Sequence, residues 1–408
     1  MGFFDALKIS FGWKGSDKKG SVANGPTYVT VGGQKIVLNE RTAMTLSAVF
    51  NALDIISNDI AVLPKSVFKK TDKGRVAVPD HPVDYLIHSR PNEKMTSFSF
   101  HKALVLSALF RGNGIAIIER NRLGDVLSLQ LVTDPVLVYE YDGELFYEIN
   151  EKMYAANEIL HIPGFSFNGI TGKGVIEYAA ESLGVPLNAQ YFATDYYSGK
   201  AQGIGIVESE KFISGPQKKK IESGISNSLN DISKWRVPVL DDGMKFKQIK
   251  LTAEEIKFID TFKFSVEEVA RWFNIPVVKL KNLDNASYNN VENLAIMHIN
   301  DSILPWAVKF EQEYNVKLFN EQEIRKDRMY VKFNINVLLR ADLKSRAEYY
   351  SKAAFTGWVT RNEIRALEEM NSIDGLDVPL TPVNTQTKEQ IDMKMKLDES
   401  KIKQIENK

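Results

Sequence analysis

The side chains that most often carry catalysis or bind metal ions are few and scattered in this sequence. Cysteine is absent, which excludes disulfides, thiolate metal sites and cysteine nucleophiles. The sequence contains neither the H-E-x-x-H spacing of a zinc site nor the G-x-S-x-G pattern of a nucleophile elbow. We therefore expect no catalytic residue, no metal ion and no cofactor. The five histidines are interpreted as surface or capped core residues: His81, His88, His101, His161 and His298.

A glycine-rich loop at 169–174 is a candidate phosphate site, because a helical pattern follows it. A P-loop has four residues between its first glycine and the Gly-Lys pair, and a Ser or Thr after the lysine. Here only two residues separate the glycines, and another glycine follows the lysine. The spacing favours a plain loop-to-helix turn. A nucleotide-dependent enzyme that uses the Gly172-Lys173-Gly174 loop stays an alternative.

Two groups of basic residues are candidates for contact with an acidic partner. The denser group is the run Lys218, Lys219 and Lys220, a pattern that is also typical of a solvated helix face. The second group is Lys279 and Lys281, at the start of an asparagine-rich loop. The asparagines of interest in that loop are Asn285, Asn289 and Asn290. Such a loop suits weak contact with a phosphate backbone, and its composition fits a plain surface loop equally well.

The composition describes a folded protein with balanced charge. The 408 residues suggest two or three domains, and 44% apolar residues are enough for a hydrophobic core. Lys and Arg total 52, as do Asp and Glu, so the formal net charge is +0. Tight nucleic-acid binding normally needs a basic excess, so any such contact should be local or weak. No apolar run is long enough to cross a bilayer, and we expect a protein made in the cytoplasm.

Hydrophobic periodicity predicts an α+β chain in which helices alternate with groups of short strands. Asp142-Gly143 predicts a tight hairpin between two of the strands. The expected helices run from Thr45 to Leu63, Ser97 to Phe110, Val175 to Ser198, Gly215 to Leu229, Ala253 to Phe273, Val291 to Leu318 and Ala341 to Met370, with interruptions or bends at Pro186, Pro305 and Gly357. The expected strands run from Ile115 to Ile118, Val126 to Val132, Val136 to Tyr141, Leu145 to Ile149, Ile204 to Val207, Val237 to Leu240, Phe246 to Leu251 and Val331 to Val337.

Several short motifs follow one another in an order that goes beyond composition. They are Leu46-Ser47-Ala48-Val49-Phe50, Leu63-Pro64, His81-Pro82, Arg90-Pro91-Asn92, Gly112-Asn113-Gly114, Glu158-Ile159-Leu160-His161-Ile162, Tyr197-Ser198-Gly199, Glu268 to Pro276, Leu338 to Asp342 and Gly357 to Arg365. In this order, and over nearly the whole chain, they resemble the tailed-bacteriophage portal proteins of the compact Hong Kong 97 type. The last run, GWVTRNEIR, is the most specific. The family often has Ser-Pro after its glycine-rich loop, where this chain has Gly174-Val175.

The resemblance implies a portal-like subunit with a mixed α/β wing, two long stem helices around a small α/β clip, a tunnel loop and a helical crown. It places the regions as follows: 1–26 flexible N-terminal arm, 27–174 wing, 175–199 first stem helix, 200–252 clip, 253–275 second stem helix, 276–290 tunnel loop, 291–340 tunnel and wing helix with a returning strand, 341–383 crown, and 384–408 charged tail.

The resemblance also implies a function and partners. Identical subunits, generally twelve, would form a ring at one capsid vertex of a tailed phage or prophage, with a channel for double-stranded DNA during packaging and ejection. The ring would contact the major capsid protein, and its clip would dock the large terminase subunit and later the head–tail adaptor. Lys279, Lys281 and the loop asparagines would touch passing phosphates, and the 218–220 lysines would lie at the docking end. Another ring-forming virion adaptor protein is a further alternative.

Overall fold

The computed structural model describes the chain in two compact units, one ending at Ile335 and one starting at Asn336. The residues described are 21–22, 27–31, 34–38, 40–72, 74–197, 205–209, 214–216, 218–219, 223, 244–248, 266–281, 291–338, 343–368, 370–380 and 393. The expected strand from Val237 to Leu240 and most of the expected helix from Ala253 to Phe273 lie outside these residues. Within the described part of the chain, no helix is both long enough and apolar enough to span a membrane.

The first unit contains helices on both sides of its strand-rich middle section. The helices are α1 (Glu40–Ala43), α2 (Ser47–Val62), α3 (Pro82–His88), α4 (Ser97–Arg111), α5 (Val175–Tyr178), α6 (Ala180–Tyr197), α7 (266–272), α8 (Val291–His298), α9 (Leu304–Lys317) and α10 (Glu321–Arg325). The strands are β1 (Ser21–Val22), β2 (Thr27–Val31), β3 (Gln34–Leu38), β4 (Lys65–Thr71), β5 (Gly74–Ala77), β6 (Asn113–Arg120), β7 (Val126–Val132), β8 (Val136–Tyr141), β9 (Glu144–Ile149), β10 (Lys152–Ala155), β11 (Ile159–Pro163), β12 (Gly205–Ser209), β13 (Met244–Gln248) and β14 (Met329–Phe333).

The described strands form small antiparallel sheets. Their orders are β1-β8-β9-β10, β11-β6-β7, β14-β4-β5, β12-β13 and β2-β3. The predicted hairpin between β8 and β9 is confirmed, because Asp142 and Gly143 have φ values of 51° and 78° and Tyr141 pairs with Glu144. Positive φ at both central residues is what a two-residue type I′ turn requires.

The core of the first unit centres on α2 packed against α4. Val49, Leu53, Ile56 and Ile60 recur at helical spacing on α2, and each is almost fully buried. Burial of each such side chain contributes about 1.5–3 kcal/mol relative to exposure. Pro64 disfavours helical geometry at Leu63, the residue before it, so α2 ends at Val62 and β4 begins at Lys65.

The long helix predicted from Val175 to Ser198 is interrupted, but not at Pro186. The interruption lies at Ala179, between α5 and α6, and α6 continues through Pro186. The helix predicted from Val291 to Leu318 likewise changes geometry just before Pro305, since a π-helical turn at Ile299–Ile303 separates α8 from α9. A proline cannot donate the next helical hydrogen bond, which favours irregular geometry near it.

The strand predicted from Val331 to Val337 is correct only as far as Phe333. Phe333 pairs with Lys65, which is the first residue of β4 and follows Pro64. Beyond that pair, the Asn334 N–H donates to the Pro64 carbonyl at 2.8 Å, and Ile335–Val337 forms a 3-10 helix. The alternating pattern continues past the end of the partner strand, and the strand stops because its neighbour does.

The second unit contains α11 (Leu343–Thr356) and α12 (Arg361–Leu367) in its described part. The predicted break at Gly357 is confirmed: this glycine has a φ of 77°, and a Cβ there would lie 2.3 Å from the Leu380 carbonyl oxygen. Thr360 and Glu363 form a capping box that starts α12.

Candidate functional site

Lys279 lies in a short 3-10 helix just before the 282–290 segment. That helix spans Val277–Leu280, and the Lys279 N–H donates to the Pro276 carbonyl at 2.9 Å. The Lys279 Nζ lies 3.5 Å from the Oδ2 of Asp59, which belongs to α2. This lysine therefore already has a carboxylate partner within its own subunit.

Lys281 differs from Lys279 although it lies only two residues further along the chain. It has a left-handed φ of 62°, its N–H donates to the Val278 carbonyl, and its side chain is exposed. Among the described residues it has no ion-pair partner. Of the two lysines, only Lys279 is therefore paired with a carboxylate within the described residues. Asn285, Asn289 and Asn290 lie outside the described residues.

Asp59 also binds the chain on the far side of the 282–290 segment. Its Oδ2 lies 2.8 Å from the Nε2 of His298, whose side chain is only 1% exposed. Because a carboxylate only accepts hydrogen bonds, the Nε2–H donates here. The His298 Nδ1 is buried without a partner among the described atoms. One carboxylate on α2 thus contacts residues on both sides of the segment.

A second set of contacts joins the same two stretches of chain. Asn274 has a left-handed φ of 53°, its Nδ2 donates to the Asp301 carbonyl at 3.0 Å, and its own carbonyl accepts from the Ser302 hydroxyl. A cavity of about 300 Å³ opens here, with Leu294 and Met297 in its apolar lining. The end of α7 and the π-helical turn are therefore held together before and after the 282–290 segment.

The 218–220 lysines lie between β12 and β13 in the sequence. Lys218 and Lys219 are helical and exposed, whereas Lys220 lies outside the described residues. The β12 and β13 strands pair from Gly205 with Gln248 to Ser209 with Met244. The lysines therefore lie in a stretch of chain whose two ends are joined by an antiparallel pair of strands.

The glycine-rich loop packs against the carboxyl end of α4. Cβ atoms at Gly172 and Gly174 would lie 2.1 Å and 1.9 Å from the carbonyl oxygens of Gly112 and Phe110. The glycines are therefore needed for close approach of backbone to backbone. Lys173 forms an ion pair with Glu177 at 2.9 Å, which raises the pKa of this lysine. The loop fits the predicted loop-to-helix turn.

Asn113 holds the glycine-rich loop to the sheet. Its Oδ1 accepts from the Gly172 N–H and from the His161 Nε2–H, both at 2.8 Å, and its Nδ2 donates to the Gly172 carbonyl at 2.9 Å. The His161 Nδ1 accepts from the Tyr147 hydroxyl at 3.0 Å. Burial, followed by the nearby charge of Lys317, lowers the pKa of His161 to about 3. This histidine is a neutral core residue.

His101 occupies a second buried network. Its Nδ1–H donates to the Ser97 carbonyl at 2.7 Å, and its Nε2 accepts from the Tyr314 hydroxyl at 2.7 Å. Burial and the nearby charge of Lys65 lower the pKa of His101 well below its usual value. In the described part of the chain, no three His, Asp or Glu side chains cluster as metal ligands would. These histidines fit the core role expected from the sequence.

A family model described as phage portal protein matches residues 47–369, which is well over half of the chain. The chain belongs to the phage portal protein family. It is 26% identical to the portal protein of Enterobacteria phage HK97, over 84% of this chain and 83% of that protein. It is 29% identical to the probable portal protein of Streptomyces phage phiC31, over 82% and 77% of the two chains.

Solved structures share the fold of this portal protein. An HK97-family phage portal protein from Corynebacterium diphtheriae aligns with a TM-score of 0.57 and 17% identity, over 78% of this chain and 99% of that one. A chain from the neck of an empty gene transfer agent particle aligns with a TM-score of 0.55 and 17% identity, over 82% and 93%. A chain from a native neck computed with C12 symmetry aligns with a TM-score of 0.52 and 16% identity, over 82% and 92%.

These findings confirm the family, the α+β fold class and the function of a phage portal protein predicted from the sequence. The region boundaries and the proposed contact residues stay predictions. Sequence reasoning missed Asp59 altogether and gave His298 no role. No spacing signal could have found them, because the two residues lie 239 positions apart.

Proposed function

We propose that this portal protein assembles into a ring of identical subunits, generally twelve, at one capsid vertex. Double-stranded DNA would pass through the central channel when the genome is packaged and when it is ejected. The observation that carries the proposal is the continuous family match from residue 47 to residue 369. A ring of identical chains needs head-to-tail interfaces that close by rotation.

The order of the described elements supports the predicted arrangement of two stem helices around a clip. Helix α6 precedes the β12–β13 pair, and the helical residues 266–272 follow it. This order of helix, β-containing insertion and helix is what a stem around a clip requires. We therefore keep 175–199 and 253–275 as the stem helices and 200–252 as the clip.

The clip would dock the packaging motor first and the head–tail adaptor later. The exposed Lys218 and Lys219 support this, since a solvated basic surface attracts an acidic partner at long range. Replacing Lys218, Lys219 and Lys220 with Glu should weaken binding of the large terminase subunit. Unchanged terminase binding with intact rings would remove these lysines from the docking surface.

Lys281 is our candidate for contact with passing phosphates. For Lys279 we propose a positioning role within its own subunit. The reason is the ion pair of Lys279 with Asp59, which Lys281 lacks among the described residues. Lys281→Ala should alter DNA packaging or retention in assembled heads, without changing ring assembly. Normal packaging and retention in that variant would contradict the assignment.

The proposed role is structural, and it makes the protein a component of the virion that is assembled in the host cytoplasm. The wing would face the major capsid protein. The nucleotide-dependent alternative requires ligand binding at Gly172-Lys173-Gly174, where backbone packing against α4 accounts for the glycines. Added nucleotide should leave the melting temperature unchanged, and a concentration-dependent increase would favour the enzyme.

The first experiment is the mass of the purified protein by light scattering, with negative-stain images of the same peak. A particle of about twelve subunits with a central hole supports the ring. A species that stays monomeric at high protein concentration, and also with DNA and capsid protein present, would contradict self-assembly by this chain.

A further inference from the structure

Two stretches of chain on either side of the 282–290 segment meet at a single carboxylate. Before the segment, Lys279 reaches Asp59 Oδ2 at 3.5 Å. After it, the buried His298 donates to the same oxygen at 2.8 Å. Asp59 belongs to α2, whose buried residues form part of the core of the first unit. The carboxylate thus joins both sides of the segment to a rigid helix.

We propose that Asp59 is a positioning residue that fixes the start of the tunnel loop, at Lys279, and the far end of the helix that follows the loop, at His298, to the wing helix α2. This inference rests on the proposed function only in the name and role of the loop. The anchor itself rests on the contacts between described residues. It assigns a role to an aspartate outside the loop, and it explains why Lys279 is engaged within the subunit.

The chemistry of the cluster explains why a carboxylate is needed there. Asp59 is 19% exposed and offers a negative charge that accepts from both partners. Asparagine could still accept from His298, but it would lose the charge that attracts Lys279. Alanine would leave the Nε2–H of His298 unpaired, in addition to the Nδ1 that already lacks a partner. The three residues therefore act as one unit.

Hydrogen bonds to backbone carbonyls near the anchor also hold the same two stretches of chain together. Asn274 donates to the Asp301 carbonyl and accepts from Ser302. These contacts lie outside the Asp59 cluster, so they should keep the end of α7 in place when the carboxylate is changed. Loss of the Asp59 contacts should therefore loosen the chain close to the segment, with little effect on the core.

Tryptic cleavage of the assembled protein after Lys281 reports this loosening directly. Cleavage needs local opening of the chain around the susceptible bond, so its rate measures how firmly the ends are held. In Asp59→Asn we expect cleavage after Lys281 about tenfold faster, with other sites and the melting temperature little changed. Asp59→Glu should restore slow cleavage, because it keeps the charge.

The matched control is Asp54→Asn on the same helix. Asp54 has its own ion pair with Lys102 at 2.7 Å and accepts from Asn58. This variant loses a comparable charge contact but should leave cleavage after Lys281 unchanged. If Asp59→Asn does not assemble, Lys279→Gln breaks only the weaker contact and should accelerate the same cleavage.

Cleavage that is no faster in Asp59→Asn or Lys279→Gln than in Asp54→Asn would overturn the anchor. DNA packaging into heads tests the tunnel-loop role separately. Faster cleavage with impaired packaging supports both the anchor and the role. Faster cleavage with normal packaging supports the anchor and contradicts the tunnel-loop role of the segment.

Discussion

Lys65 is a buried cation whose removal should stabilise the protein. Its side chain is 3% exposed, and its Nζ donates to the Ala61 carbonyl at 3.1 Å and to the Ser97 hydroxyl at 3.5 Å. It also lies 5.7 Å from the centre of the Phe333 ring. Among the described residues it has no carboxylate partner. Burial lowers the pKa of Lys65 from 10.5 to about 7.

The pKa difference sets both the size and the pH dependence of the effect. Between about pH 7 and pH 10.5, the unfolded chain binds a proton that the folded chain releases, so stability rises with pH across this window. Below pH 7, the full difference between the two pKa values corresponds to a loss of folding stability of at most about 5 kcal/mol. Lys65→Met fills a similar volume and removes this penalty, but it also loses the hydrogen bond to Ala61, worth about 1 kcal/mol. We expect a net gain of about 2–4 kcal/mol at pH 7.

Urea unfolding followed by tryptophan fluorescence, at fixed protomer concentration, measures this gain. The control is Lys70→Met, which removes an exposed lysine from the same strand and should change stability by less than about 0.5 kcal/mol. The advantage of Lys65→Met should shrink as the pH rises towards 10.5. A loss of stability at pH 7, or an advantage that does not depend on pH, would refute the reasoning.

Three further predictions concern the contacts of the glycine-rich loop. Gly172→Ala should lower the free energy of unfolding by about 2–4 kcal/mol, because its Cβ would lie 2.1 Å from the Gly112 carbonyl oxygen; urea unfolding at wild-type stability would contradict this. Asn113→Ala should lower the free energy of unfolding by about 2–4 kcal/mol, because it removes three hydrogen bonds. Amide hydrogen exchange at Gly172 should become faster in this variant. An unchanged exchange rate would argue against this role for Asn113. Because the pKa of His161 is lowered to about 3, the folded chain resists protonation of this residue as the pH falls below about 6.5. The free energy of unfolding should therefore decrease by about 1.4 kcal/mol per pH unit between pH 6.5 and 3. Acid titration of stability should therefore be flatter in His161→Gln, and identical slopes would contradict the assignment.

Local signals predicted the elements whose cause is local. The α2 helix follows from the spacing of its apolar residues and the proline after it, and the β8–β9 hairpin follows from Asp142-Gly143. Gly357 marks the break between α11 and α12 because only glycine suits its φ and its contact with Leu380. In each case the residues that decide the structure lie next to one another in the sequence.

The errors occurred where a distant part of the chain decides the structure. The alternating pattern through Val337 gives no sign that its partner strand β4 begins only at Lys65, so the end of β14 at Phe333 could not be predicted. The two lysines before the 282–290 segment have the same side chain, and the sequence gives no sign that Lys279 pairs with Asp59. A pairing across more than two hundred residues is a property of the folded molecule, and composition does not contain it.

The difference between Lys279 and Lys281 also bears on how a channel could contact DNA without stopping it. If both lysines were free, each subunit of the proposed ring would present two positive charges to the duplex. With Lys279 paired to Asp59, each subunit would present one fewer. Each phosphate contact that is lost weakens binding to DNA. It also makes the slope of log affinity against log salt concentration shallower by about 0.9. The net charge of +0 and the pairing of Lys279 would therefore act in the same direction, because both would keep contact with the DNA backbone weak. Asp59→Asn should free the second lysine, so ejection of DNA from filled heads should become slower at low salt and normal at high salt. Ejection that is equally slow at both salt concentrations would attribute the defect to a displaced loop and not to added charge.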